Sequence, residues 1–327
     1  MNTPLVFKFG GASVRDAASV RNVATIVQRF QDRPLVVVVS AMGKTTNALE
    51  EVVQHWLRAE WDRMKETIQS IWDAHLGIVQ ELFGTPPADL LEQMQRWKDE
   101  LLQDLKAEDR PYGAQYDAVV HKGELLSTAI VAAYLNLETP AQWLDTRRLV
   151  HTNDQHRRAT VLWDATERAI VNAVSEPVVY VVQGFIGSAP NGLTTTLGRE
   201  GSDYTGAVFA YCLGANSLTI WKDVPGMLNA DPKVFPSPTL LRRLPFDEAI
   251  ELAFYGASII HPKTIQPLQK RGVPLHVKSF LHPELDGTVI EQCDAPEPQV
   301  PNYIQKSNQA LLQVSMRDLA FIAEHHL

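Results

Sequence analysis

A lysine at the end of an apolar run, followed by two glycines, is the first place in this sequence where chemistry could be done: Lys8-Phe9-Gly10-Gly11-Ala12-Ser13. Glycines let the backbone approach an anion with no Cβ in the way. The helix that follows would offer free N–H groups and the positive end of its dipole. Lys8 adds a point charge, so the segment has the parts of a phosphate cradle. The alternative is a plain strand-to-helix turn with a lysine stem lying along the surface. The dinucleotide fingerprint G-x-G-x-x-G is absent.

Three further segments carry candidate chemistry. Gly198-Arg199-Glu200-Gly201-Ser202-Asp203-Tyr204-Thr205 leads from a Gly/Thr-rich loop into an apolar helix. Ser202 and Asp203 are natural helix caps, while Arg199 between glycines suits bidentate capture of a carboxylate. Lys222-Asp223-Val224-Pro225-Gly226, with Asp231-Pro232-Lys233 soon after, is either turn chemistry at a strand end or one wall of a nucleotide pocket. Ser40 to Asn47 follows a core strand at its C-terminal end, where α/β sheets hold ligands. Its Gly43-Lys44-Thr45 imitates the end of a P-loop, but the earlier glycine of that motif falls on Val38, so the P-loop reading is rejected. Gly123-Glu124 sits in a helical stretch and reads by default as surface charge. No H-E-x-x-H or Cys/His ligand spacing is present, so no protein-held zinc is expected.

These residues need a frame to hold them. Leu5 to Phe9 reads as a buried strand, with a helix opened by Asp16 and carried by Val20, Val23, Ile26, Val27 and Phe30. Pro34 introduces Leu35 to Val39, a run without alternation that suits a central strand covered on both faces. Strand, glycine turn, helix and strand open an α/β layered fold. From about Thr46 to Lys106 the chain turns rich in Leu, Gln, Glu and Trp, which predicts two or three long helices as an insertion; another spans Ala114 to Leu135. Strands are expected at 141–144, 178–182, 218–221 and 275–277, and helices at 203–213, 247–255 and 262–270. Gln292 to Pro301, with three prolines, reads as a linker, followed by a strand at 310–315 and a helix at 316–327.

Composition bounds the rest. The 327 residues are 45% hydrophobic and 21% charged with a net charge of −8, which fits a folded chain of about two domains rather than a disordered one. The acidic balance argues against nucleic-acid or anionic-membrane binding. Two cysteines, Cys212 and Cys293, are too few for a disulfide framework and, with no leader in Met1 to Phe7, point to a reducing cytoplasm. The longest apolar runs are strand-sized and too short to cross a membrane.

Taken together and in order, the segments at 8–14, 40–47, 123–127, 184–187, 197–205, 222–226 and 256–262 resemble the amino-acid kinase family, on its aspartate kinase branch. The last of them is Gly256-Ala257-Ser258-Ile259-Ile260-His261-Pro262. The resemblance implies a layered α/β/α sandwich with a mainly parallel central sheet and a long helical insertion at about 46–135. It implies a catalytic domain over 1–291, a linker at 292–306 and an incomplete ACT-like segment at 307–327. The implied reaction is transfer of the ATP γ-phosphoryl group, with Mg²⁺ carried on the ATP, to the β-carboxylate of L-aspartate, toward lysine, threonine and methionine. No general base is needed, since the acceptor carboxylate is already ionised at neutral pH. A homodimer or higher homo-oligomer is expected.

By motif position, Lys8 would bridge donor and acceptor oxygens, and Asp203 would orient Lys8. Thr45, Glu124, Arg199 and Ser202 would hold the substrate, with Glu124 on its α-ammonium and Arg199 on its α-carboxylate. Gly10, Gly11, Ser13, Lys222, Asp223, Asp231, Lys233 and Ser258 would face the nucleotide. No metal ligand is assigned to the protein. Ala12, Glu200 and Ser258 depart from the family pattern, where hydroxyl, glycine and lysine are usual, and Lys222 or Lys233 would have to supply the cation lost at Ser258. Other acceptors on the same fold, of the glutamate or acetylglutamate type, and a decayed binding module are the competing readings. The tail would end inside the first helix of an ACT module, so feedback control is expected to be missing.

Overall fold

The computed structural model describes residues 3–30, 33–107, 110–256, 259–305 and residue 310. Ser258 and the strand and helix expected at 310–327 therefore fall outside the described residues, apart from Ala310. The strands are β1 (Leu5–Phe9), β2 (Leu35–Val39), β3 (Ala141–Leu144), β4 (Val179–Gln183), β5 (Ile186–Ser188), β6 (Thr194–Thr196), β7 (Ser217–Lys222), β8 (Arg243–Pro245), β9 (Leu275–Ser279) and β10 (Thr288–Glu291). The helices are α1 (Ala17–Gln28), α2 (Thr45–Leu57), α3 (Trp61–Phe83), α4 (Ala88–Asp104), α5 (Tyr112–Val120), α6 (Lys122–Leu135), α7 (Trp163–Ala173), α8 (Gly201–Leu213), α9 (Phe246–Tyr255) and α10 (Pro262–Arg271).

Eight strands form one sheet in the order β3-β4-β2-β1-β7-β9-β10-β8. The pairs from β3 to β9 are parallel, and β10 runs antiparallel to β9. The strand period of two sorts side chains between two cores. Leu5, Phe7, Phe9, Leu35, Val37 and Val39 face a core shared with α1 to α6. Val6, Val36, Val38, Tyr180, Val182, Leu218 and Ile220 face a second core shared with α7 to α10. The run Leu35–Val39 is buried along its whole length, as its lack of alternation requires. The same period turns Lys8 toward the Val6 side, onto α8.

The insertion is a layer of helices on the first core. Trp72 of α3 donates its indole N–H to the Met94 carbonyl of α4 at 3.0 Å, and Ile68, Trp72, Met94, Trp97 and Leu101 extend the same apolar cluster. The stretch read as one helix over 114–135 is two, which meet at His121, where the backbone stays right-handed (φ −61, ψ −19). Together Tyr112–Leu135 are long and apolar enough to cross a membrane, contrary to the reading from apolar runs, but 83% of the apolar window is buried inside the fold. Its apolarity is that of a core helix wrapped on all sides.

The Pro-rich stretch after β10 is strapped to the body rather than free. Glu297 exchanges backbone hydrogen bonds with Arg243, and the Tyr303 N–H donates to the Asn229 carbonyl at 2.7 Å. The hairpin β5/β6, the helix α7 and the strands β8 and β10 escape the sequence reading. β5 and β6 have three residues each, drawn from Gly, Ser, Thr and one Ile, and owe their extended form to pairing across Ile186 and Thr196 rather than to propensity.

Candidate active site

At the C-terminal ends of β1, β2 and β4 the backbone opens into a cleft of about 490 Å³. β1 delivers Lys8 to its floor, and the chain then makes a tight 3-10 turn over Gly11–Val14. A side chain at Gly11 would collide with the Ala41 and Gly43 carbonyls, at 2.7 and 2.8 Å from its Cβ, so only glycine lets this turn sit against the loop after β2. Gly43 N–H donates to the Gly11 carbonyl at 3.0 Å and closes the two loops together. Asp16 then caps α1 by accepting from the Ser19 N–H at 2.8 Å, as expected.

The Lys8 ammonium lies 2.6 Å from Asp203, whose side chain is fully buried in the first turn of α8. Lys222, at the end of β7, reaches the other carboxylate oxygen at 3.4 Å and also donates to the Ile259 carbonyl. Burial alone would push the Asp203 pKa up; the two ammonium groups outweigh it and hold the carboxyl below its ordinary range. Asp203 is therefore not the helix cap that its position suggests. Glu200 takes the residue before the helix, in the left-handed region (φ 53). That conformation favours glycine and accounts for the strain of the glutamate found there.

Glu124 contradicts the surface-charge reading. It is 2% exposed, in the first turn of α6. Burial pushes its pKa up to about 8, against the backbone N–H groups of Glu124 and Ala41, which favour the charged form. Its Oε2 has no hydrogen-bond partner. A buried carboxylate that lines a cleft with one oxygen left unpaired has the chemistry to receive a cation.

Lys8, Gly11, Glu124, Arg199, Ser202 and Asp203 all line this cleft. Thr45 is the first residue of α2, and its hydroxyl donates to the Met42 carbonyl at 2.7 Å. The neighbouring Thr46 lines the cleft. Gly10 and Ser13 shape the turn rather than line the cleft: Ser13 is buried and donates its N–H to the Gly10 carbonyl at 2.9 Å. Asp223 is exposed beyond β7. Asp231 closes an exposed turn, accepting from the Lys233 N–H at 2.9 Å, and neither residue reaches the cleft lining. Glu50, Tyr116 and Arg157 also line it and went unread, since no motif marks them; Phe185 lines it too, from the motif at 184–187, with no role assigned to it. Phe185 and Arg157 share one local feature with Glu200: all three are non-glycine residues at positive φ, and the fourth such residue among those described is Ala59.

A sequence model of the amino acid kinase family matches residues 3–279. Lysine-sensitive aspartokinase 3 of Escherichia coli K12 is 32% identical over 334 residues, which cover 99% of this chain and 73% of that protein. Chloroplastic aspartokinase 1 of Arabidopsis thaliana is 33% identical over 325 residues, 95% of this chain but 56% of the plant protein. The chain thus spans little more than half the length of its plant relatives. Among solved structures, E. coli aspartokinase III in complex with aspartate and ADP superposes with a TM-score of 0.80 at 33% identity, covering 88% of this chain and 64% of that one. Motif order, sheet and cleft agree with these matches, and the chain belongs to the amino acid kinase family, among the aspartokinases.

Proposed function

We propose that the chain phosphorylates the β-carboxylate of L-aspartate with ATP, giving 4-phospho-L-aspartate. The observation that carries this reading is Glu124: a buried carboxylate, unpaired at Oε2, in the same cleft as Arg199 and the Lys8–Asp203 pair. A free amino acid presents an ammonium for Glu124 and an α-carboxylate for Arg199, which leaves its second carboxylate toward Lys8. An N-acylated acceptor has no ammonium and would strand Glu124. The E. coli relative solved with aspartate and ADP supports the same pair of ligands.

The work of the protein is positioning and charge neutralisation. The acceptor carboxylate attacks the γ-phosphorus while the bond to the bridging oxygen of ADP breaks, and Lys8 neutralises charge shared between the two anions. Asp203 fixes the Lys8 ammonium by the 2.6 Å contact, so no reorganisation is needed when charge moves. Lys222, held on the same carboxylate, is the cation that stands in on the nucleotide side for the lysine missing at Ser258. Mg²⁺ would be held by the nucleotide phosphates and water, where the ion would shield phosphate charge. The product is an acyl phosphate that opens the route to lysine, threonine and methionine.

The test is acyl-phosphate trapping with hydroxylamine in the presence of ATP and Mg²⁺, across L-aspartate, L-glutamate and N-acetyl-L-glutamate. Hydroxamate formation with aspartate alone is expected. A faster reaction with either other acceptor would overturn the assignment.

A further inference from the structure

Arg157 is held where a side chain of its kind is costly to hold. It sits in the left-handed region (φ 69), in the exposed polar stretch between β3 and α7. A buried carboxylate fixes it there. Asp117 of α5 accepts the Arg157 N–H at 3.0 and 3.2 Å, His156 Nδ1 at 2.8 Å and the Thr196 hydroxyl at 2.7 Å. The Arg157 carbonyl lies 3.1 Å from where a Cβ of Gly198 would be, so this loop is seated directly against the residue before Arg199. The side chain then turns inward. Its guanidinium stacks over the rings of Tyr116, at 4.8 Å from the centroid, and Tyr112, at 5.2 Å, and lines the cleft. Tyr116 is itself fixed, its hydroxyl donating to Glu50 at 2.5 Å.

The chemistry around it calls for a second cation. Glu50 and Glu200 add two carboxylates to the cleft lining beside Glu124. An acceptor carboxylate docking on Arg199 would meet the Glu200 charge next to it. A guanidinium held flat on aromatic rings keeps its edge donors free for a planar carboxylate. We infer that Arg157 is a specificity-determining residue of the acceptor end, which pairs with Arg199 on the α-carboxylate of the amino acid, and that Asp117 is its positioning residue. This rests on the aspartate kinase reading above. The acceptor end, rather than the nucleotide end, follows from its neighbours: Gly198 on one side, and on the other α5, which leads directly into α6 and Glu124.

The variant that tests it is Arg157→Gly, because glycine is at ease at φ 69 and the change removes the side chain without straining the fold. The expected results are an unchanged or higher melting temperature, an unchanged KM for ATP, and a KM for L-aspartate raised on the order of 10- to 100-fold, the range for a lost charge-assisted hydrogen bond. With aspartate α-amide, which lacks the α-carboxylate, wild type and variant should perform alike. The variant's penalty should therefore appear with aspartate and vanish with the amide. An aspartate KM within twofold of wild type would overturn the inference, as would an equal penalty on both acceptors or a penalty confined to ATP. A wild-type chain that makes no hydroxamate from aspartate would instead sink the underlying reading, whatever Arg157→Gly does.

Discussion

The proposed acceptor side and the proposed nucleotide side are built differently. At the acceptor end Glu124 and Asp203 are buried, Asp203 has fixed partners, Thr46 and Ser202 come from helix starts, and strained residues at 157, 185 and 200 frame the opening. On the nucleotide side the candidates beyond β7 are exposed: Asp223 at a strand end, Asp231 and Lys233 in a turn. The contrast has a physical reason. A small amino acid must be recognised by a few contacts, so those at its ammonium and its reacting carboxylate are desolvated and set in advance, while Arg199 stays exposed at the opening. A nucleotide brings a large body and its own charges, and exposed cations and turns can meet it at low cost in either state.

Lys8 stands where the two ends join, and its removal should give the largest effect. Lys8→Ala is expected to lower kcat on the order of 10²- to 10³-fold, the range for one preorganised charge contact. The fold should survive, because Lys222 still pairs with the buried Asp203 at 3.4 Å. A melting temperature that holds while turnover collapses is the expected pair of readings. Retention of more than about a tenth of wild-type kcat would mean that Lys222 alone bridges donor and acceptor, and the division between the ends would have to be redrawn.

Legibility in the sequence follows the same division. Strands and their glycine turns were legible, because a β-branched run and Gly10-Gly11 carry their meaning locally. Lys8, Glu124, Arg199 and Ser202 were found by motif and lie in the cleft. What makes Glu124 and Asp203 special, their burial and the presence or absence of partners, was not legible, since the same residues in the same helix positions read as surface charge and as a cap. Thr46, which lines the cleft beside Thr45, carries no signal of its own in the sequence. Arg157 carries no signal at all: its role depends on a φ angle set by Asp117, 40 positions away in sequence. The short strands β5, β6, β8 and β10 exist through pairing, which no local pattern encodes.

Glu124→Gln should separate the ends by pH. The free carboxyl titrates at about 8, so the wild-type kcat/KM for aspartate should fall as pH drops below that value, because only the ionised form receives an ammonium. Glutamine carries no charge, so the variant should lose this limb, with an aspartate KM raised about 10- to 100-fold and an ATP KM left alone. Stability gives an independent reading. The folded pKa lies above the ordinary carboxyl value of 4.5, so the native state holds a proton that the unfolded chain releases between the two. The contribution is full below 4.5 and lost as pH rises through 8. At pH 9 the variant should melt higher than wild type, and near pH 4 the two should agree. A wild-type aspartate profile flat from pH 6 to 9 would argue against Glu124 as the group that receives the ammonium.

The smallest effect is expected at Lys233, and it tests the comparison from its weaker side. Lys233 is exposed, and its backbone N–H is held by Asp231 in a turn that does not depend on the ammonium. An exposed charge meeting a phosphate through solvent is worth roughly 0.2–1 kcal/mol, so Lys233→Ala should raise the KM for ATP by no more than about fivefold and leave the KM for aspartate unchanged. The small effect should shrink further as salt is raised from 50 to 500 mM, since screening weakens exposed pairs and hardly touches buried ones. Under the same salt series the contacts of Glu124 and the Lys8–Asp203 pair should hold, being shielded from the counterions, and a rise in the aspartate KM should trace to the exposed Arg157 and Arg199. An ATP KM raised more than tenfold, with no salt dependence, would mean that the turn closes over the bound nucleotide and buries Lys233 there. The nucleotide side would then be as dry as the floor around Glu124 and Asp203, assembled by its ligand rather than in advance of it.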